Sequence, residues 1–217
     1  LGVIPYDFVT DSTRWRIKPT SYTGLDAYLQ ASRDAYRKAI WANQDAHVEI
    51  WCEKFSVAGV LGDVTREWDV PLMPCRGYPS DTFLYEASEQ LARVDKPVFV
   101  YYFGDHDPSG RDIDDVITSK LREFEASLTF ERVAVLPWQI QAWNLSTRPT
   151  KRSDTRAKNW RGDSVDLEAI PADKLRDICR SVIEKHIDTD ALETTRRVER
   201  LERETLDAVL ANFASQP

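Results

Sequence analysis

Apolar residues in the central part of the chain follow two alternating patterns. Four short, mainly apolar runs predict strands. These runs are 47–52, 70–75, 97–103 and 130–136. Between them, apolar residues recur at three- and four-residue steps, which predicts helices at about 56–68, at about 81–94 and from the turn at 104–110 to about Glu125. Strands that alternate with helices of this length predict an α/β fold with a mostly parallel four-stranded sheet flanked by helices.

The sequence on either side of the four predicted strands indicates helical extensions. Residues 1–45 form an N-terminal extension with one amphipathic helix, from Gly24 to about Asn43. Residues 138–217 combine a basic loop, a short strand at 165–170 and helices that begin near residues 171 and 191. The core is then 46–137, and the last helix packs either on this core or on a second copy in a homodimer.

Composition excludes two classes of protein. Hydrophobic residues make up 42% of the 217, but no apolar run reaches the roughly 18–20 residues that span a bilayer, so we expect no membrane protein. Cys52, Cys75 and Cys179 are too widely spaced for a disulfide framework or a zinc signature. This cysteine usage and the absence of a recognisable signal peptide predict a cytoplasmic protein.

The overall charge argues against a protein that simply coats phosphates. The chain has 36 acidic and 29 basic residues, giving a net charge of −7. A carboxylate-rich metal site and a basic loop can nevertheless coexist in such a chain, so the local distribution of charge decides.

Candidate chemistry lies directly after three of the predicted strands, where ligands collect in an open parallel sheet. Glu53 and Lys54 follow the first strand, and Arg76 and Gly77 follow the second. After the third, Asp105 and Asp107 would project together if the chain stayed extended, and two such carboxylates repel each other unless a cation lies between them. Hard oxygen ligands suit Mg²⁺ or Mn²⁺. The alternative is that both aspartates occupy a turn and cap the next helix.

The motifs at these strand ends resemble, in combination and in this order, the Toprim domain of topoisomerases, bacterial primases and certain nucleases. They are VEIWCEK, RGYPSD and PVFVYYFGDHDPSG, and the resemblance covers about residues 46–136. The most similar pattern is that of the topoisomerase VI A subunit and its meiotic double-strand-break relatives, with Glu-Lys, Gly-Tyr-Pro and Asp-x-Asp-Pro-x-Gly. The resemblance implies a Rossmann-like Toprim fold.

The resemblance also implies roles for individual residues. Glu53 would ligate a metal or act as general acid/base at a phosphodiester, and Asp105 and Asp107 would hold Mg²⁺. Gly77 would permit close approach of the backbone near the site. For Lys54 and Arg76, charge and position indicate phosphate contacts instead.

Two departures from the family pattern narrow the activity. Primases and type IA topoisomerases tend to carry a third acid two residues after the pair, where this chain has Ser109. In the topoisomerase VI group the nucleophilic tyrosine lies in a preceding winged-helix domain, but only about 45 residues precede the core here. Covalent strand passage is therefore not predicted.

Two further clusters carry candidate functional residues. The segment 147–161 contains six basic residues and Trp160, which suits contacts to a nucleic-acid backbone with base stacking. The basic residues are Arg148, Lys151, Arg152, Arg156, Lys158 and Arg161. Alternatively, they pair with the protein's own acidic surface. Asp166 and Glu168 would share one face of the short strand and extend the acidic cluster towards a second ion, or else are ordinary strand-end acids.

Together these features favour a Mg²⁺-dependent enzyme acting on DNA phosphodiesters, either a nuclease or a topoisomerase-like cleavage enzyme. The alternative is a non-catalytic DNA-binding or assembly protein on the same scaffold. A phosphate-ester or nucleotide enzyme with the same Mg²⁺ chemistry is a third class, since a fold does not determine its substrate.

Overall fold

A computed structural model describes residues 18–150 and 155–214. The chain divides into two compact units. One unit combines the described residues up to Arg37 with those from Glu199 onward, and the other spans Lys38–Val198. The predicted core and the candidate residues that follow its first three strands belong to the Lys38–Val198 unit.

Within the described residues, four strands form one parallel sheet. They are β1 (His47–Cys52), β2 (Leu72–Pro74), β3 (Val98–Phe103) and β4 (Thr129–Ala134), in the spatial order β2-β1-β3-β4. Each neighbouring pair is parallel, and Cys52 at the end of β1 is in register with Pro74 and Phe103. The α/β class and the parallel sheet are thus confirmed, and this arrangement is consistent with a Rossmann-like fold.

The α-helices of the described chain agree with the sequence pattern in their core positions. They are α1 (Leu25–Ala35), α2 (Phe55–Glu67), α3 (Asp81–Leu91), α4 (Pro108–Glu123), α5 (Pro137–Ala142), α6 (Ala172–Glu184) and α7 (Thr189–Ala214). Short 3₁₀ helices lie at Ile40–Asn43, Thr155–Asn159 and Leu167–Ala169. Ser80 caps α3, because its Oγ accepts a hydrogen bond from the Phe83 amide at 3.2 Å.

Both faces of the sheet are buried, which explains why its central strands lack polar alternation. On one face, Ile50 and Phe103 belong to an apolar cluster with residues of α2 and α6, such as Leu61. On the other face, Trp51 and Tyr102 belong to a cluster with residues of α3 and α4. Helices on both faces leave the carboxyl edge of the sheet as the place where polar groups can gather.

Two predicted elements differ from the structure. The helix predicted from residue 24 to 43 ends at Ala35, where Tyr36 turns to an extended backbone conformation, and a separate 3₁₀ turn follows. The strand predicted at 165–170 is a single antiparallel bridge between Val165 and His106 followed by a 3₁₀ turn. The run at 165–170 has too few residues to fix its structure without this tertiary contact.

None of the helices within residues 18–150 and 155–214 is long and apolar enough to cross a membrane. The cysteines behave as the spacing predicts, since Cys52, Cys75 and Cys179 are free thiols buried in the protein.

Candidate metal centre

The candidate centre lies where the order of the strands reverses. From β1 the chain crosses to β2 on one side and then returns to β3 on the other, so β1 and β3 flank a switch point of the kind where α/β proteins bind ligands. Glu53 follows β1 and Asp105 follows β3 by two residues. The Asp105 amide donates a hydrogen bond to Glu53 Oε2 at 2.9 Å. The structure therefore brings these two acids together at one edge, as the sequence predicts.

Asp105 is almost fully buried, and both of its carboxylate oxygens have partners. Its Oδ1 accepts a hydrogen bond from the Leu167 amide at 2.7 Å, and its Oδ2 lies 2.9 Å from Lys54 Nζ. Burial raises the pKa of the Asp105 carboxyl above its ordinary value, although the Leu167 amide and the Lys54 ammonium oppose this. A carboxylate in this environment favours a nearby cation.

Glu53 is the acid whose protonation is most altered. Burial first, and then the negative charge of Asp105, raise the pKa of the Glu53 carboxyl from 4.5 to about 7. Asp107 adds a smaller repulsion in the same direction. A carboxyl with such a pKa can exchange a proton near neutral pH, which is the property required of a general acid/base.

Lys54 lies inside the acidic cluster and not at its outer rim. Its Nζ is 2.9 Å from Asp105 Oδ2, 3.2 Å from Asp166 Oδ1 and 2.6 Å from Glu168 Oε2. Burial would lower the pKa of Lys54, but Glu168 and Asp105 raise it above its ordinary value. In this structure Lys54 thus pairs with the protein's own carboxylates, and its predicted phosphate contact stays a prediction.

Asp166 and Glu168 reach this edge through the bridge between Val165 and His106. The His106 amide donates to the Val165 carbonyl at 2.8 Å, and the Val165 amide donates back at 2.9 Å. The predicted reason for their proximity, one face of a strand, is wrong, because Glu168 lies in the 3₁₀ turn. Both side chains nevertheless converge on Lys54, which makes them members of the cluster.

Asp107 caps a helix, which is the alternative role that the sequence allowed for it. Its Oδ1 accepts a hydrogen bond from the Gly110 amide at 2.8 Å at the start of α4, and its Oδ2 pairs with Arg148 Nη2 at 3.2 Å. The helix begins directly after Asp107, at Pro108, and the Asp107 carboxylate is occupied by the cap and by Arg148. Asp107 still contributes negative charge near Glu53.

Arg148 belongs to the same electrostatic network. Besides Asp107, it binds Asp166 through Nε at 2.9 Å and Nη2 at 3.0 Å. Arg148 therefore agrees with the alternative prediction, in which the basic residues pair with the protein's own acids. Four carboxylates, those of Asp105, Asp107, Asp166 and Glu168, thus pair with two basic side chains, and Glu53 lies beside them.

Arg132, which the sequence analysis did not select, fixes the loop that carries Asp105. This guanidinium is buried on β4 and pairs with Asp114 of α4 at 2.5 Å. It also donates to the carbonyl oxygens of Gly104 at 2.6 Å, Asp105 at 3.1 Å and Gly110 at 2.8 Å. The available signal was an arginine inside the β4 run, followed by apolar residues, since a buried arginine requires such partners.

The loop after β2 lies against the same edge but not inside the cluster. The Gly77 amide donates to the Glu53 carbonyl at 3.0 Å. Gly77 has φ of +85°, and no atom lies within 4 Å of where a Cβ would be, so backbone conformation and not close approach requires glycine. The Arg76 guanidinium lies over the Phe55 ring at 4.9 Å, at the start of α2.

The rest of the basic segment is only partly described. Lys151 and Arg152 lie outside the described residues. Arg156 pairs with Asp112 at 3.2 Å, while Lys158 and Arg161 are exposed. His106 lies against the Trp160 ring at 4.9 Å and is not part of the acidic cluster.

The chemistry of the donor set suits a hard divalent cation. Within the described residues, Asp105, Asp166 and Glu168 each offer an oxygen, and these oxygens all lie within 4.8 Å of one another. Glu53 and Asp107 are not part of this set, so the ligand trio differs from the predicted Glu53, Asp105 and Asp107. The cluster already surrounds one cation, the Lys54 ammonium, and carboxylate oxygens of this kind are what Mg²⁺ and Mn²⁺ prefer.

Comparisons with known proteins give no further assignment. No model of a protein family matches this sequence, and no curated protein matches it.

Proposed function

We propose that this chain is a Mg²⁺- or Mn²⁺-dependent enzyme of the Toprim type that cleaves DNA phosphodiesters, as a nuclease or a topoisomerase-like enzyme. One observation carries the proposal. The Lys54 ammonium is surrounded by the carboxylates of Asp105, Asp166 and Glu168 at the switch point of a parallel sheet. The buried Glu53 lies directly beside this cluster. The ordered motifs that resemble Toprim domains supply the same acids Glu53 and Asp105 from the ends of β1 and β3.

The residues of the site have different roles in this proposal. Asp105, Asp166 and Glu168 would hold the ion, which when bound supplies positive charge to stabilise a phosphate in the transition state. Glu53 accepts the Asp105 amide and so orients the loop, and its carboxyl holds or releases a proton near neutral pH. Arg148 keeps Asp166 in position and provides positive charge beside the cluster.

The proposed activity predicts that Asp105→Asn loses metal-dependent cleavage of plasmid DNA. Asparagine retains an acceptor for the Leu167 amide but removes the charge that holds a cation, so we expect a loss of roughly 10²-fold or more. The measurement is nicking and linearisation in Mg²⁺ or Mn²⁺, with EDTA as the metal-free reaction.

The matched control is Asp115→Asn, which removes an exposed carboxylate from α4 outside the cluster and should leave cleavage unchanged. Circular dichroism checks that both variants are folded. Cleavage that persists in Asp105→Asn, or that is unaffected by EDTA, would contradict the proposed function.

The second candidate, a non-catalytic DNA-binding or assembly protein, has one observation in its favour. Lys54 and Arg148 already pair with the acids that would otherwise bind metal, so the cluster is a stable ion-pair network without an added ion. The cleavage assay, together with a DNA-binding titration at several salt concentrations, separates the two candidates. Salt-sensitive DNA binding without cleavage in either divalent ion would support the second candidate.

A further inference from the structure

The Lys54 ammonium occupies the position that a metal ion would need. Its three N–H donors face three different carboxylates, at 2.9 Å for Asp105, 3.2 Å for Asp166 and 2.6 Å for Glu168. The oxygens of these acids that can ligate an ion all lie within 4.8 Å of one another. A Mg²⁺ ion requires oxygens at about 2.1 Å. The ammonium and the ion therefore cannot share this space.

From this geometry we propose that Lys54 is an exchangeable internal cation that must leave the cluster before a divalent ion can enter. The inference rests on the proposed function, because it concerns the regulation of the same metal site. Lys54 thereby holds the carboxylates together in the ion-free protein and sets a threshold for loading. The apparent affinity for the ion is reduced by the fraction of molecules in which Lys54 occupies the cluster.

The backbone around Lys54 allows the side chain to leave without unfolding the site. Its carbonyl accepts the Val57 amide at 3.2 Å, so the main chain is fixed at the start of α2. The ammonium is carried on a flexible four-carbon stem, and the Lys54 side chain is 28% exposed. Its partners Asp166 and Glu168 are 39% and 45% exposed, which leaves a path to water on that side of the cluster.

The carboxylates keep other partners after Lys54 leaves. Asp105 retains the Leu167 amide, Asp166 retains Arg148, and Glu168 accepts the Ser56 hydroxyl at 2.8 Å. These contacts hold the three acids in place, but they leave oxygens that lack a counter-charge. Carboxylates without a counter-charge repel each other, so an empty cluster is unfavourable. A divalent ion supplies two positive charges where the ammonium supplied one.

The test is the affinity of the purified full chain for Mn²⁺, measured as free ion by electron paramagnetic resonance without DNA. We expect Lys54→Met to bind Mn²⁺ about tenfold more tightly than wild type or better, because the competing cation is gone. Lys54→Arg retains a resident cation and should bind no more tightly than wild type. Lys174→Met, which removes a positive charge beside Trp143, is the charge-matched control and should not alter the affinity.

Each outcome decides the inference. If Lys54→Met fails to fold by circular dichroism, Lys54→Gln replaces it, since its amide still donates hydrogen bonds but carries no charge. Equal Mn²⁺ affinity in wild type and the neutral variant, abolished in both by Asp105→Asn, would overturn the exchange and leave the metal site intact. If neither binds Mn²⁺ at millimolar concentration, the metal site and the proposed function fail together with the exchange.

Discussion

Gly110→Ala is expected to destabilise the protein by about 3 kcal/mol and to displace Asp105 from the cluster. A Cβ at residue 110 would lie 2.3 Å from the carbonyl oxygen of Asp105 and 3.0 Å from its carbonyl carbon. These are backbone atoms, so no rotation of a side chain relieves the contact. Arg132 donates to the carbonyls of both residues and resists their separation.

The matched control for this prediction is Gly59→Ala. Gly59 lies on the exposed surface of α2, with no atom within 4 Å of the added Cβ, so alanine should stabilise the helix by roughly 0.5–1 kcal/mol. Urea unfolding of both variants gives the two free energies, and the Mn²⁺ affinity reports on the position of Asp105. Gly110→Ala with wild-type stability and wild-type Mn²⁺ affinity would show that this backbone contact does not constrain the site.

Glu53→Gln should remove a pH dependence of about 3 kcal/mol from the stability of the metal-free protein. The pKa of Glu53 is about 7 in the folded protein against 4.5 as a reference, so between these pH values the folded state binds more protons than the unfolded state. The free energy of unfolding therefore falls as the pH rises through this window. The cost of the buried charge is absent below the window and complete above it.

Glutamine is the appropriate replacement because its Oε1 can still accept the Asp105 amide while it stays neutral. The measurement is urea unfolding of both proteins in EDTA at several pH values between 4.5 and 7.5. The difference in stability between Glu53→Gln and wild type should grow as the pH rises. Parallel pH profiles would mean that burial does not perturb the Glu53 carboxyl.

Much of the fold could be predicted because the central strands are buried on both faces. The run from Val98 to Phe103 has no polar alternation, and only a strand covered on both sides tolerates this. Ser80 and Asp81 are both residue types that cap helices, and Ser80 caps α3. Patterns of this kind depend on residues that are neighbours in the chain, so the sequence alone was sufficient to predict these elements.

The candidate site could be predicted only in part because its contacts span long distances in the chain. Glu53 and Asp105 follow adjacent parallel strands, which places them at one edge by topology. Lys54 pairs with Asp166 and Glu168 more than a hundred residues away, through a bridge too short to recognise in the sequence. For Asp107 the sequence did contain the correct local signal. Asp-Pro-Ser-Gly is typical of a helix cap, and Asp107 caps α4, but a metal role was preferred.

Several sequence-based predictions stay predictions. These are the Toprim assignment, the choice of DNA as substrate, the preference for Mg²⁺ or Mn²⁺, the cytoplasmic location and the homodimer through the C-terminal helices. The Leu201 and Val209 side chains on α7 are exposed, but nothing in the structure identifies a partner for them.

The most direct measurement of the central claim is a crystal structure of the chain soaked in Mn²⁺, with anomalous scattering used to locate the ion. The account predicts one anomalous peak in contact with Asp105 and with Asp166 or Glu168, and Lys54 turned away from it. An ordered cluster that keeps the Lys54 ammonium among its carboxylates at saturating Mn²⁺, with no anomalous peak at the ends of β1 and β3, would contradict the account.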